Sequence, residues 1–328
     1  MAVTVADVAR HAGVSTATVS YVLSGKEGHR ISAATRELVR TAAAELGYQP
    51  NTAARSLRTG RGSAVLLPLP GLRANHVLGQ MIDLCTVSLA GHQLSLITDF
   101  TPYSETEHAV RAWARLGPAA VVDLVLPRES PMKQALAKSG LNVINPAQTG
   151  IAPGLSPADA AAGDARMTQL GYLADRGHQN IVFALAPPAE RQLDKVLHDK
   201  LHNLADARRA TLSTHRLSLT ATDVESFVTG WITSPNATAV AAFNDDCALA
   251  LIAAFQSRGV RVPDDVAVMG VDDIPLAAAF TPGLTTIAAD FTELAATLTE
   301  FVVKAVETGE LSGPLAAPGH RVRRRQSA

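Results

Sequence analysis

The chain has 328 residues, of which 47% are hydrophobic and 18% charged, with a formal net charge of −1. This length and composition exclude a disordered chain and allow two or three domains with a buried core. The sequence lacks an apolar run of roughly 18 residues, as a membrane span would need, and its N-terminal segment lacks the pattern of a secretory signal. Two cysteines, Cys85 and Cys247, have neither metal-binding nor disulfide-framework spacing. We therefore expect a cytoplasmic protein without a membrane partner.

The charge is distributed unevenly along the chain. Residues 1–61 contain eight Lys or Arg and four Asp or Glu, a net charge of +4, so the rest of the chain carries −5. This asymmetry indicates a small basic module joined to a mildly acidic body, as in nucleic-acid-binding proteins. Chance is the alternative explanation, because +4 is a modest charge.

The segment TVADVARHAGVSTATVSYVLSG predicts two short helices joined by a glycine turn. Thr4 can cap the first helix, with Asp7 completing a capping box, and Gly13 can end it. Ser15 can cap the second helix. The inner faces are then formed by Val5, Val8, Ala12, Val19, Val22 and Leu23. This arrangement is a helix-turn-helix.

A third, longer helix is predicted between Ser32 as its cap and Gly47 at its end. Its inner face would carry Leu38, Val39, Ala42, Ala43 and Leu46. Three short helices with a small core are typical of a DNA-binding headpiece. An amphipathic helix set without DNA-binding function is the alternative.

The N-terminal part of the second helix is suited to the major groove of DNA, where each base pair has a distinct pattern of donors and acceptors. Thr16, Ala17 and Tyr21 would share its exposed face. The hydroxyls of Ser15 and Thr18 are suited to phosphate oxygens.

The string VADVARHAGVSTATVSYVLSG…ISAATRELVRTAAAELGYQPNTAARSLRTGR resembles the LacI family of bacterial transcription regulators at many fixed spacings. The resemblance implies a homodimer, or a higher oligomer, that binds a pseudo-palindromic double-stranded DNA operator and represses transcription. The residues that we predict to contact DNA are Thr4, Ser15, Thr16, Ala17, Thr18, Tyr21, Arg30, Asn51, Ala54, Arg55 and Leu57. Many family members have an arginine where this chain has Tyr21, so the operator sequence stays open.

The resemblance also implies that residues 51–58 form a hinge helix, which pairs with the same helix of a second subunit. Leu57 would then be inserted between base pairs in the minor groove, with arginines close to the phosphates. Asn51 can cap this helix, and Ala53 and Ala54 permit close helix–helix approach. Eight residues are too few for a stable isolated helix, so we expect the segment to order only on DNA.

After Gly62, strand-like and helix-like segments alternate along the chain. Continuous apolar runs fit parallel strands that are covered on both faces, and repeated βα units predict doubly wound sheets. The predicted strands lie within AVLLPL, LSLITDF, AAVVDLVL, NVIN, NIVFALA, TAVAAF and VAVMGV. The predicted fold class is α/β, a two-lobed periplasmic-binding-protein-like core preceded by an all-α helix-turn-helix domain. The predicted domains are a headpiece (1–49), a hinge helix and linker (50–61) and a two-lobed effector-binding and dimerisation domain (62–328).

The resemblance implies a small-molecule effector, sugar-like by family default, between the two lobes. The matching positions are Asp164, Arg191, Asn244 and Asp272. Polar groups at strand ends can bind a polyhydroxyl ligand, but an Asp or Asn there often caps the next helix instead. The family's glycine and aromatic residue after Arg191 are replaced by Asp194 and Lys195, and the first lobe lacks the usual Asn-Pro-Phe. A DNA-binding regulator without a small effector, controlled by a protein partner, is therefore the alternative.

Other chemistry is weakly indicated. Asp194, His198 and His202 share a helical face at a spacing found in zinc sites, but a solvated charged face is favoured because a third ligand is not evident. The chain lacks nucleotide-binding and hydrolase motifs, so we predict neither an enzyme nor a cofactor or metal. Asp245–Asp246 and Asp272–Asp273 are sequence neighbours, whose side chains usually diverge. The basic terminal segment RVRRRQSA is interpreted as structural.

Overall fold

The computed structural model describes residues 3–23, 31–48, 62–70, 75–124, 126, 130–145, 157–185, 195–309 and 318–328, apart from the side chains of 103, 157–164 and 195–196. The chain divides into two compact units, Met1–Ser63, which includes the predicted headpiece, and Ala64–Ala328, here called the body. The predicted hinge, residues 50–61, lies outside the described residues. None of the described helices is both long enough and apolar enough to cross a membrane.

The headpiece contains three helices, as its capping signals predict: α1 (Val5–His11), α2 (Thr16–Leu23) and α3 (Ala33–Glu45). Thr4 Oγ1 accepts a hydrogen bond from Asp7 N at 3.3 Å, and Thr4 N donates to Asp7 Oδ2 at 3.0 Å, so the capping box is confirmed. The chain leaves α1 through Gly13, whose φ of 63° lies in the left-handed region, and Val14 N donates to Ala9 O at 3.0 Å. This is a Schellman ending, which favours glycine at that turn.

The headpiece core is made of small apolar side chains. The buried ones are Val8, Ala9, Ala12, Val19, Val22, Val39, Ala42 and Ala43. The prediction that Leu38 faces this core is wrong, because its side chain is 52% exposed. The buried stripe of α3 is centred on Val39 and Ala43, and Leu38 falls at the edge of that stripe. Tyr48, which the pattern did not place in the core, packs against it.

The first sheet of the body is parallel and has the strand order β2-β1-β3-β4. Its elements in chain order are β1 (Ala64–Pro68), α4 (His76–Ala90), β2 (Ser95–Asp99), a 3-10 turn (Tyr103–Glu105), α5 (Thr106–Leu116), β3 (Ala120–Val122), α6 (Pro131–Lys138) and β4 (Val143–Ile144).

The second sheet has the order β10-β9-β8-β7-β5-β6, and its strands are parallel except for the β10–β9 pair. Its elements are α7 (Pro157–Asp175), β5 (Asn180–Leu185), α8 (Lys195–Ala207), β6 (Thr211–Arg216), α9 (Ala221–Thr233), β7 (Ala239–Ala242), α10 (Asp245–Ser257), β8 (Ala267–Val271), α11 (Pro275–Ala279), β9 (Thr285–Asp290) and β10 (Gly319–Arg323).

The remaining helix of the described chain, α12 (Thr292–Thr308), follows β9 of the second sheet in sequence but packs on the first sheet. Leu294, Leu298 and Val302 of this helix share one core with Val65 and Leu67 of β1. The chain therefore crosses from the second sheet to the first after β9 and returns for β10.

The basic C-terminal segment has the structural role that its sequence was interpreted to have. Arg325 Nη2 donates to Asp273 Oδ1 at 2.6 Å, and Arg323 Nε donates to Asp273 Oδ2 at 3.2 Å. Ser327 is fully buried, and its Oγ donates to Val268 O at 2.6 Å. These contacts tie the end of the chain to the second sheet and engage Arg323 and Arg325 within the protein.

Candidate functional site

The N-terminal part of α2 presents the candidate DNA-contacting residues of the headpiece. Ser15, Thr16 and Ala17 are exposed, whereas Thr18 and Tyr21 are half-buried. Ser15 Oγ accepts from Thr18 N at 3.0 Å and lies 2.9 Å from Thr18 Oγ1. Ser15 thus caps α2 as predicted, while the first turn of α2 remains accessible for a groove.

Thr4 is exposed and tied to Asp7, because its Oγ1 donates to Asp7 Oδ2 at 2.6 Å. These hydrogen bonds from Thr4 lower the pKa of Asp7. His11 Nε2 lies 2.8 Å from Glu45 Oε2 and joins α1 to α3. The other predicted DNA contacts lie outside the described residues: Arg30, Asn51, Ala54, Arg55 and Leu57.

In the body, polar side chains collect at the carboxyl ends of β7 and β8, where ligands bind in open α/β sheets. Asn244 follows β7, and its Oδ1 accepts from Cys247 N at 3.0 Å. This is the helix-cap geometry that was the alternative to ligand binding for Asn244. The cap uses the Oδ1 acceptor and not the two Nδ2 donors, so the two roles are compatible.

Asp272 follows β8 in an unusual backbone conformation, with φ of 116°. Its N–H donates to Ile287 O at 2.8 Å, which fixes the turn. Burial, with further contributions from the charges of Asp245 and Asp246, raises the pKa of Asp272 to about 8. Half-buried carboxyl groups on residues with a strained backbone conformation are frequent in binding sites.

The side chains of Asp245 and Asp246 diverge, as expected for neighbours in sequence. Asp245 is fully buried, and it accepts from Thr286 Oγ1 at 2.5 Å and from Ile274 N at 2.9 Å. Burial raises the pKa of Asp245 to about 6, although these hydrogen bonds oppose the shift. Asp246 is exposed.

Sequence reasoning missed Arg166, which lies on α7 and is only 3% exposed. Its Cζ lies 4.9 Å from the centroid of the Phe243 ring, next to Asn244 at the end of β7. Burial lowers the pKa of Arg166 to about 10, an effect partly opposed by the charge of Asp272. Nε and Nη1 of Arg166 lack a hydrogen-bond acceptor among the described residues.

Sequence reasoning also missed Gln169, one helical turn after Arg166 and fully buried. Its Nε2 donates to Ala242 O at 3.0 Å and to Met269 O at 2.7 Å. Gln169 therefore attaches α7 to the ends of β7 and β8 and holds Arg166 beside Asp272.

Two predicted effector residues are not placed by the structure. Position 164 lies on α7, but its side chain is outside the described part, and Arg191 lies outside the described residues altogether. Of the four predicted effector contacts, the structure therefore places Asn244 and Asp272 at adjacent strand ends, and Arg166 lies next to them.

A second polar group lies at the carboxyl end of β3. Asp123 is buried and accepts from Lys133 Nζ at 2.9 Å and from Asn145 Nδ2 at 2.9 Å. Burial raises the pKa of Asp123, and the charge and hydrogen bond of Lys133 oppose the shift. The pattern AAVVDLVL predicted the strand but gave no sign of this partner set.

The His198 and His202 rings on α8 lie 4.3 Å apart between centroids. The His198 side chain is half-exposed, and its Nδ1 lies 3.7 Å from Asp199 Oδ1. Within the described part of the chain, no three His, Cys, Asp or Glu side chains are grouped to hold a metal ion.

A helix-turn-helix headpiece and a body of two parallel sheets with polar groups at the strand ends define a class, the DNA-binding regulator with a ligand-binding body. Residues 4–51 match the model of bacterial regulatory proteins of the lacI family, and residues 170–328 match a periplasmic binding protein-like domain. The chain is 31% identical over 297 residues to the transcriptional repressor PurR of Vibrio vulnificus, covering 87% of this chain and 86% of that protein. It is 30% identical over 321 residues to the transcriptional regulator reg1 of Streptomyces lividans, covering 88% and 85%.

The chain belongs to the lacI family of bacterial regulatory proteins. As a member, it is a DNA-binding transcriptional regulator, and the predicted fold class is confirmed. Similar solved structures include the lac repressor dimer bound to operator and the anti-inducer ONPF, with a TM-score of 0.71, 22% identity and coverage of 100% and 99% of the two chains. Another is the regulator CelR in complex with cellobiose, with a TM-score of 0.65, 23% identity and coverage of 99% and 100%. At these identities the structures support the fold.

Proposed function

We propose that the protein is a cytoplasmic, homodimeric transcriptional repressor. It binds a pseudo-palindromic operator, and a small ligand raises or lowers its affinity for that operator. The exposed first turn of α2, with Ser15, Thr16 and Ala17 in one short capped helix, carries this proposal. That surface is free of bulky side chains, so it can approach base edges closely.

Control by a ligand requires that the ligand bind two arrangements of the protein with different affinity. The proposed contacts are Asn244 and Asp272, at adjacent strand ends of the second sheet, together with Asp164 and Arg191. Relatives whose names describe them as repressors, and neighbours solved with an operator or a sugar, support this proposal. The proposed function involves no enzymatic step.

Residues 50–61 are proposed to form the hinge and linker between the headpiece and the body, with Asn51, Ala54, Arg55 and Leu57 on DNA. The likeness to the family's sequence pattern supports this role. In this mechanism, ligand binding changes the conformation of the body. That change alters the pairing of the two subunits' hinge helices, and the altered pairing changes the affinity for the operator.

Genome-wide mapping of bound DNA, followed by binding measurements on the recovered sites, tests the proposal. Ala17→Glu adds a negative charge to the exposed first turn of α2, where an acid favours the helix but repels phosphates. Thr41→Glu makes the same charge change at an exposed position in the middle of α3 and serves as the control. We expect Ala17→Glu to abolish enrichment at the recovered sites and Thr41→Glu to retain it. Equal enrichment of both variants would contradict the proposed role of α2.

A further inference from the structure

Arg166 is a buried cation with unused hydrogen-bond donors. Its side chain is 3% exposed, and Nε and Nη1 have no acceptor among the described residues. Arginine is almost never fully buried unless it is paired, because an unpaired buried charge is strongly destabilising. The ring of Phe243 stabilises the guanidinium from one face but accepts no conventional hydrogen bond.

Among the described residues, the neighbouring carboxyl groups do not supply the missing acceptor. Asp245 is occupied by Thr286 and the Ile274 N–H, and Asp273 is paired with Arg325. Asp272 acts on Arg166 only through its electrostatic field and forms no described ion pair with it. Because its pKa is about 8, Asp272 is predominantly a neutral acid at pH 7. It can donate a proton to a ligand oxygen, but it carries little charge to balance Arg166.

The guanidinium of Arg166 lies next to Phe243, which follows β7, and interacts electrostatically with Asp272, which follows β8. Gln169 lies on the same side of α7 and donates to Ala242 O and Met269 O. Phe243 and Asp272, which follow β7 and β8, are both half-buried, so the site adjoins solvent. A small molecule at these strand ends would meet the guanidinium, an aromatic ring and a protonated carboxyl group together.

We propose that Arg166 is the anion-recognition residue of the effector site, and that the effector is a small molecule with a carboxylate or phosphate group. The inference rests on the proposed ligand control and names the class of its ligand. A neutral ligand offers only weak acceptors to the guanidinium, whereas an oxyanion offers charge-assisted hydrogen bonds that are about twice as strong as neutral ones. The protonated Asp272 would donate to a second oxygen of the same ligand.

The test uses the full chain without DNA and two matched sets of probes. The first set is glucose, gluconate and glucose 6-phosphate, and the second is adenosine and AMP. Inorganic phosphate alone is a further probe. Thermal shift and calorimetry at constant ionic strength report binding. We expect at least one anion to bind saturably and at least 10-fold more tightly than its neutral parent. Carboxylate and phosphate members of the sets separate the two sources of the anion. Tighter binding of the neutral parents, or no saturable response to any anion, overturns the inference.

Two variants separate recognition from structure. Arg166→Met should lose the preference for the anion, while Arg258→Met, which removes an exposed arginine from the same body, should keep it. Because Arg166 lacks an ion-pair partner among the described residues, we expect the ligand-free Arg166→Met protein to melt no lower than the parent. A lower melting temperature would assign Arg166 to an internal ion pair and overturn the inference. Mapping of bound DNA by the parent tests the proposed function separately, so the two can fail independently.

Discussion

The Asp245 carboxylate occupies the space that a side chain at Gly270 would need. A Cβ at Gly270 would overlap Asp245 Oδ1 and approach Leu284 Cδ2 to 3.0 Å. Asp245 cannot move aside freely, because Thr286 Oγ1 and the Ile274 N–H hold its two oxygens. Glycine in β8 is therefore a requirement of the buried carboxylate next to it.

Gly270→Ala should lower the free energy of unfolding by ~1–3 kcal/mol, the usual cost of overpacking a core. The matched control is Gly230→Ala on the exposed side of α9, where a Cβ would meet nothing within 4 Å. The control should gain ~0.5–1 kcal/mol, because alanine favours a helix interior over glycine. Chemical denaturation of both variants measures the difference, and equal stability would show that Asp245 relaxes without cost.

Asp272→Asn should raise the melting temperature, and the gain should grow as the pH rises from about 4 to about 8. The folded-state pKa of Asp272 is about 8, above the ordinary value of 3.8, so the folded state holds the proton more tightly than the unfolded state. The free energy of unfolding of the parent therefore falls as the pH rises through that interval, because the folded state keeps the proton that the unfolded state releases. Above that interval, this loss of stability is constant. Asparagine does not titrate, and it tolerates positive φ better than most residues.

Melting curves at several pH values, on both proteins, measure this gain. Among the described residues, Asp245, Asp246 and Arg166 are the ionisable groups that act on Asp272, and they are present in both proteins. Asp206→Asn, which makes the same substitution at an exposed carboxylate on α8, is the control. A gain for Asp272→Asn that does not change with pH would contradict the assigned shift.

Tyr21→Arg should change the base preference of the operator half-site. An arginine at this place on α2 can donate two hydrogen bonds to a guanine, which a tyrosine hydroxyl cannot do. We expect guanine to be preferred at one position of each half-site by ~1–3 kcal/mol. Selection from a randomised operator library, with the parent as reference, reads the preference directly. An unchanged base profile would place Tyr21 away from the base edges.

Leu57→Ala should weaken binding to the intact operator much more than binding to an isolated half-site. The expected reason is the loss of an apolar wedge that unstacks and bends the central step of the operator. Titrations at matched salt are needed, because phosphate contacts alone make affinity strongly salt-dependent. The same loss on both DNAs would indicate a defect of the headpiece and not of the wedge.

The parts of the structure that depend on neighbours in sequence could be predicted. The Thr4–Asp7 capping box and the Gly13 turn are determined within a few residues, and the strand in VAVMGV is a buried apolar run. β6 was missed because it is an edge strand in which only Leu212 is buried. β9 was missed because buried Thr285 and Thr286 interrupt its apolar pattern.

The candidate site could be predicted only where the chain itself ends a strand. Asn244 and Asp272 follow recognisable strands, and their positions match the family pattern. Arg166 could not be recognised, because its role depends on contacts that are distant in sequence. Gln169, which positions it, bonds to carbonyl groups 73 and 100 residues further along the chain. Nothing in the local pattern of α7 indicates such partners.

Because α12 packs on the first sheet, a single division of the chain cannot separate the two sheets. The core of the first sheet is completed by Leu294, Leu298 and Val302, which are encoded after most of the second sheet. A gene split between β4 and α7 would yield an N-terminal fragment with an uncovered apolar face and a C-terminal fragment with a helix that lacks its sheet. Each fragment should aggregate alone, and the two should regain a native fold only when they are produced together.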